Sequence, residues 1–342
     1  MNPRASRRLF RRIHLLPSLI TLGNFACGFL AIILCLNALY FSTRAQILEE
    51  RATAAAATPA PDALSLPDGI GVDYDHGKAR RNALALHSVA GARGRAGFLF
   101  HWACLIIFLG MLFDMLDGKV ARLMGADSAF GKELDSLADV TTFGIAPAVV
   151  VNTLSLAVLP ATYAWWSQVI IFGVVFALCA VLRLARYNIQ SGTDKNVFSG
   201  LPSPAAAGCV VSAVLLFEGD YGFVATLCGW FAGIPFFGTE IVHVKARLLS
   251  FFLLLPGLLM VSAIPFTHVA NRYLTGKKSF TILVLAVLLI ALVWHEPRLM
   301  LFLAFNSYMI AGIAAAIRKR LRGEAVPSAT PPGGGESGHD TH

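Results

Sequence analysis

Four aspartates stand close together in an otherwise apolar chain: Asp114, Asp117, Asp135 and Asp139. They fall in the pattern Asp114-x-x-Asp117-Gly118-x-x-Ala121-Arg122, then eight residues, then Gly131-x-x-x-Asp135-x-x-x-Asp139. On a helix, residues three apart (Asp114, Asp117) and four apart (Asp135, Asp139) share a face. Two such helix ends facing each other would gather the carboxylates around one point. Carboxylates at membrane depth are costly, so they face a bundle interior or a wet cavity and meet something cationic. All-oxygen donors select hard divalent ions, magnesium or manganese. No His or Cys lies between Asp114 and Asp139, which argues against zinc. Two such ions, about 3.5–4 Å apart, can stabilise the attacking and leaving oxygens of a phosphoryl transfer together.

The stretch resembles the signature of the CDP-alcohol phosphotransferases, integral membrane enzymes of phospholipid synthesis, and every defined position is matched without a gap. Solvated loop acids, or the cation path of a non-enzymatic membrane carrier, would not require Gly118, Ala121, Arg122 and Gly131 at these spacings. Intramembrane prenyltransferases also use Asp-rich motifs with magnesium, but lack the Gly-x-x-Ala-Arg step. The resemblance implies an all-α polytopic bundle that binds divalent cations, Mg2+ or Mn2+, two in number. It implies Asp114, Asp117 and Asp135 as metal ligands. Asp139 would complete the second ion's shell and take the proton of the acceptor hydroxyl. Asn24 lies in a Pro17-x-x-x-Thr21-x-x-Asn24 stretch that in the family contributes to the nucleotide site. Gly118, Ala121, Arg122 and Gly131 are expected there too. The glycines would allow close backbone approach, and Arg122 would pair with phosphate.

Stepping outward, "SLADVTTFGIAPA", "RLARYN", "FSGLPSPAAAG" and "LLMVSAIPF" are similar to segments of the bacterial integral-membrane phosphatidylserine synthases. That branch implies CDP-diacylglycerol and L-serine as substrates, and a homodimer. A zwitterionic acceptor needs a cation for its carboxylate. Arg183, Arg186 and Asn188 are available for the acceptor or the lipid phosphate, with Lys132 a weaker candidate on the same rim. Sister enzymes take glycerol 3-phosphate or inositol phosphate. A phosphorylated acceptor calls for a denser basic pocket than Lys132, Arg183 and Arg186 supply.

The elements that must position these groups are membrane helices. Of 342 residues, 56% are hydrophobic and 14% charged, against about 25% charged in a soluble domain, and mean hydropathy is +0.66. Net charge is +8, with basic residues beside apolar runs, as positive-inside anchoring requires and unlike a nucleic-acid binder. The six cysteines sit singly in apolar segments, without a CxxC pair, and read as small buried hydrophobes.

In chain order, residues 1–16 form a basic amphipathic segment with Arg4, Arg7, Arg8, Arg11 and Arg12. The following apolar run, 17–41, is too long for a signal peptide. Residues 42–96 read as a partly disordered non-cytoplasmic loop with one short helix near 44–57. Further spans are expected at 97–123, 131–158, 162–186, 203–219, 247–266, 279–295 and 298–317, eight in all with the first. Residues 221–238, broken by Gly229, Gly233, Pro235 and Gly238, read as interfacial or re-entrant, because another crossing would put the basic tail outside. Residues 17–317 form the membrane-embedded catalytic domain and 318–342 a disordered cytoplasmic tail. The protein is expected in the bacterial inner membrane, with both termini and the active site cytoplasmic.

Overall fold

The computed structural model describes residues 3–57, 74–124, 129–158, 166–190, 200–218, 221–232, 234, 240–262, 264 and 295–322. Span seven (279–295) falls almost wholly outside them, as do Lys195 and the chain beyond Arg322. The described residues are helical throughout, with α1 at Pro3–Ala57, α2 at Tyr74–Met124 and α3 at Ala129–Asp139. A π-helical turn, Val140–Ile145, joins α3 to α4 (Ala146–Val158). Then come α5 (Trp166–Gln190), α6 (Ser203–Glu218), α7 (Gly222–Phe231), α8 (Ile241–Phe252), α9 (Leu254–Val261) and α10 (Pro297–Leu321). Among the described residues, six helices are long and apolar enough to cross a membrane: Pro17–Ala54, Ala83–Ala121, Phe130–Val158, Gln168–Asn188, His243–Val261 and Pro297–Arg318. A seventh crossing would be the pair α6 and α7, which is bent by 99°. A bend of this size suits either a broken span or the re-entrant segment expected at 221–238.

The 42–96 reading needs correction. Residues 42–57 continue α1 and 74–96 open α2, so only 58–73 lie outside the described helices. The Ala-rich run that reads as linker is also the strongest helix former. The described part of α1 runs to Ala57, two residues before Pro59 in the sequence. At 55 residues α1 is about 80 Å long, far beyond the roughly 30 Å hydrocarbon core. The extensions pair as an antiparallel arm. Ala45, Val89 and Ala92 are buried between them with Leu48 alongside. Arg93 pairs with Glu49 and Arg95 lies over the Phe41 ring at 5.7 Å. Gln46 Nε2 donates to the Ala157 carbonyl at 2.9 Å, tying the arm's base to the end of α4.

The core surrounds α6, whose residues 206 to 216 are all buried. In lipid there is no hydrophobic drive between helices, so close packing of small residues does the work. The Ala205–Gly208 run supplies them, with the Phe305 ring of α10 seated against Gly208. α10 runs antiparallel to α6, with Cys209 Sγ against the Phe305 carbonyl at 3.3 Å. The entry to α6 depends on Gly200, at φ 94°, a conformation side-chain-bearing residues avoid. A Cβ there would collide with the Met260 carbonyl. From this turn Gly200 N–H donates to Ile264 O at 2.8 Å and Leu201 N–H to Leu259 O at 3.0 Å, which fixes Ser203 beside the end of α9.

The π turn has a local cause. Pro147 has no N–H and its ring conflicts with the carbonyl four residues back. The ladder widens, and the Ala146 N–H reaches five residues back to Thr141 O. Such a turn holds one extra residue and changes the phase of everything after it.

Candidate active site

Helices α1, α2, α3, α5 and α6 bring their functional residues to one end of the bundle. Asp114 from α2 and Asp135 and Asp139 from α3 each present a carboxylate oxygen within 4.8 Å of the other two. The spacing explains the grouping. At about 100° per residue, an i,i+4 pair diverges by about 40° and an i,i+3 pair by about 60° in the other sense. Asp135 and Asp139 therefore stay together, while Asp117 turns from Asp114 toward α1. Asp117 is 3% exposed and lies against Thr21 and its neighbouring Gly118 amide. It remains within electrostatic reach of Asp114, Asp135 and Asp139.

The donor set fits a hard divalent ion. Asp135 Oδ1, Asp117 Oδ2 and Asn24 Oδ1 are buried without a hydrogen-bond partner among the described residues. Acceptor oxygens buried this way carry a desolvation cost that a cation would relieve. No cationic side chain forms an ion pair with the trio among the described residues. Arg183 acts on Asp139 electrostatically.

Asn24, on α1, donates from Nδ2 to Asp139 Oδ1 at 3.3 Å. The sequence placed Asn24 on the nucleotide; the geometry also puts it on the carboxylate expected to act as base. Gly118 faces open space, since a Cβ there would meet nothing within 4 Å. Among the described residues nothing packs against it, and room for a ligand remains there. Ala121 is partly exposed and so is Gly131, while Lys132 is exposed. The Arg122 side chain lies outside the described set.

On the opposite wall, Arg183 of α5 donates from Nη1 to Ser203 Oγ at the start of α6. Its Nε is buried without a partner, and Tyr187 and Tyr308 lie within electrostatic range. Asn188 Nδ2 donates to Ser136 Oγ at 3.0 Å, linking α5 to α3 one residue past Asp135. Arg186 Nη1 reaches the Val261 carbonyl at 3.3 Å and so faces α9 instead of the trio. Ser203, Ser136 and Tyr308 were not singled out in the sequence. Only Ser203 carried a signal, as the residue between two prolines at a helix start.

Comparison with known proteins agrees with this geometry. The CDP-alcohol phosphatidyltransferase family matches residues 92–237, which include the whole aspartate pattern. A CDP-diacylglycerol–serine O-phosphatidyltransferase of Helicobacter pylori is 33% identical over 222 residues, 64% of this chain and 81% of that protein. The Bacillus subtilis protein of the same name is 39% identical over 111 residues, 32% of this chain and 59% of its own. An archaetidylserine synthase of Methanothermobacter thermautotrophicus is 41% identical over 115 residues, 33% of this chain and 46% of its own. With the motif complete, its carboxylates gathered at one end of a helical bundle and a relative matched over most of its length, the chain belongs to the CDP-alcohol phosphatidyltransferase family.

Proposed function

We propose that the chain transfers the phosphatidyl group of CDP-diacylglycerol to the hydroxyl of L-serine, forming phosphatidylserine and releasing CMP. The observation that carries this is the meeting of Asp114, Asp135 and Asp139 in a chain whose relatives bear the serine transferase name.

In this reading Asp114, Asp117, Asp135 and Asp139 hold two divalent ions, Mg2+ or Mn2+. Bound there, the ions would offset the charge that pyrophosphate cleavage leaves on the two phosphoryl groups. Asp139 takes the proton of the serine hydroxyl as its oxygen attacks the lipid-linked phosphorus; the bond to the CMP oxygen breaks and CMP leaves. Asn24, Gly118, Ala121, Arg122 and Gly131 hold the nucleotide and pyrophosphate. Space beside Gly118 lets the ligand approach the backbone. Arg183 holds the serine carboxylate. Its buried, unpartnered Nε and its place across from Asp139 set the hydroxyl toward the base. Asn188 and Lys132 flank the acceptor, and Arg186 serves the rim.

The site end is the cytoplasmic face of the bacterial inner membrane, with both termini on that side. Arg4, Arg7, Arg8, Arg11 and Arg12 precede the first span and Arg318 and Arg320 close α10 in the sequence, the distribution that the positive-inside rule favours on one face. The enzyme acts as a homodimer, which crosslinking in native membranes tests.

The deciding experiment incubates purified protein with radiolabelled CDP-diacylglycerol. CMP release that requires serine supports the assignment. Release with glycerol 3-phosphate or inositol phosphate instead would reassign the acceptor, and none with any alcohol would leave a cation carrier.

A further inference from the structure

Thr142 stands where three helical segments converge, one turn past Asp139. It is fully buried, in the π turn, and its Oγ1 donates to the Asn24 carbonyl at 2.9 Å. Asn24 in turn donates from its side chain to Asp139 Oδ1 at 3.3 Å. Two glycines make the node possible. A Cβ on Gly28 of α1 would stand 2.5 Å from Thr142 Oγ1 and 2.8 Å from its Cα. A Cβ on Gly110 of α2 would stand 2.6 Å from Thr142 Cγ2 and 3.1 Å from Asn24 Oδ1. The two helices thus close on both sides of one threonine, and that threonine fixes the backbone of the residue that grips Asp139.

Thr142 lies inside the π turn. Asp139 and Thr142 are three residues apart, and the ladder widens immediately after Asp139. The Thr142 hydroxyl goes to the α1 backbone, whereas a helical Thr hydroxyl is usually spent on its own helix three or four residues back. Thr141, its neighbour, does that, donating to Leu137 O at 2.9 Å.

We propose that Thr142 is a positioning residue for transfer: through the Asn24 main chain and side chain it sets the orientation of the Asp139 carboxylate, with Gly28 and Gly110 as the seats that allow it. The proposal rests on Asp139 belonging to the reaction site. Groups that orient a metal-binding carboxylate change metal affinity or turnover by about 10- to 100-fold when lost.

The test compares the wild-type protein with Thr142→Val, which keeps the shape and loses the hydroxyl, and Thr142→Ser, which keeps the hydroxyl. Two readouts are taken: Mn2+ affinity of the substrate-free protein by electron paramagnetic resonance, and kcat and KM for both substrates. Thr142→Val should weaken Mn2+ binding and lower kcat by about tenfold or more with both KM values little changed, and Thr142→Ser should restore both. Equal Mn2+ affinity and kcat in Thr142→Val, or a Thr142→Ser protein as impaired as Thr142→Val, would overturn it. Should Thr142→Val not fold, Thr142→Ala removes the same hydroxyl and adds no bulk; unchanged Mn2+ affinity and kcat there would overturn the proposal, and a loss of both would support it. A wild type that releases no CMP with serine refutes the serine assignment alone, because the Mn2+ comparison still decides the role of Thr142.

Discussion

Arg183 is held by Ser203, its guanidinium donating across the gap between the inner ends of α5 and α6. The hydroxyl keeps a half-buried cation aimed across the site toward Asp139. Arg183→Gln removes the charge that the serine carboxylate would meet. A charge-assisted hydrogen bond contributes about 1.5–3 kcal/mol, so KM for serine should rise about 10- to 100-fold while KM for CDP-diacylglycerol stays within a few-fold. The reverse pattern in steady-state kinetics would assign Arg183 to the lipid phosphate.

Gly118 separates space from packing. Its Cβ position is empty, so Gly118→Ala should fold as well as wild type and gain about 0.5–1 kcal/mol of helix stability. If the backbone there approaches the nucleotide, KM for CDP-diacylglycerol should still rise about tenfold or more. Thermal unfolding and kinetics on one preparation read both effects.

Gly28 predicts the opposite balance. A methyl group at Gly28 would press on the backbone as well as the side chain of Thr142, and overpacking costs about 1–3 kcal/mol. Gly28→Ala should lower the melting temperature by several degrees and lower transfer with it.

Asp139→Asn should abolish serine-dependent CMP release while the protein still folds, since the amide keeps the size of the carboxylate and can still contact Asn24. Near-normal turnover would remove Asp139 from the role of base.

Chelation tests the trio without substitution. EDTA should stop CMP release, and Mg2+ or Mn2+ should restore it. With Asp114→Asn in place, restoration should need about tenfold or more cation, read as the midpoint of the metal titration.

Much of this was legible in the sequence because the chemistry is local. The carboxylates recur at helical spacings, and long apolar runs around them leave few alternatives to a membrane bundle. What escaped reading depends on contacts distant in the chain or on balances between weak preferences. The Asn24–Asp139 bond joins residues 115 positions apart. Asp117 leaves the trio through a rotation that a motif does not print. The arm was missed because Ala-rich sequence suits both linkers and helices. Ala45, Val89 and Ala92 packing across the hairpin decided for helix. The π turn follows from Pro147, yet a proline announces only that the ladder is disturbed, not how.

The arm also yields a test of where the catalytic unit ends. Its outer pair, Glu49 and Arg93, lies beyond the tie between Gln46 and Ala157, far along both helices from Asn24 and Asp114. Replacing residues 54–82 by a short Gly/Ser linker should leave serine-dependent CMP release within a few-fold of wild type. Loss of activity in a folded protein would extend the unit into the hairpin.

One inserted residue after Asp139 works like a clutch between two gears. Upstream, α3 turns its acids to the reaction; downstream, α4 turns Val150, Val151 and Ser155 to the packed interior. Straightening 140–145 into a regular helix with all its residues kept would rotate one gear by about 100° against the other, so either the acids or the interior face would point the wrong way. The wide turn is therefore what lets one continuous rod serve two masters, and its loss would show as a rotation, not as a break.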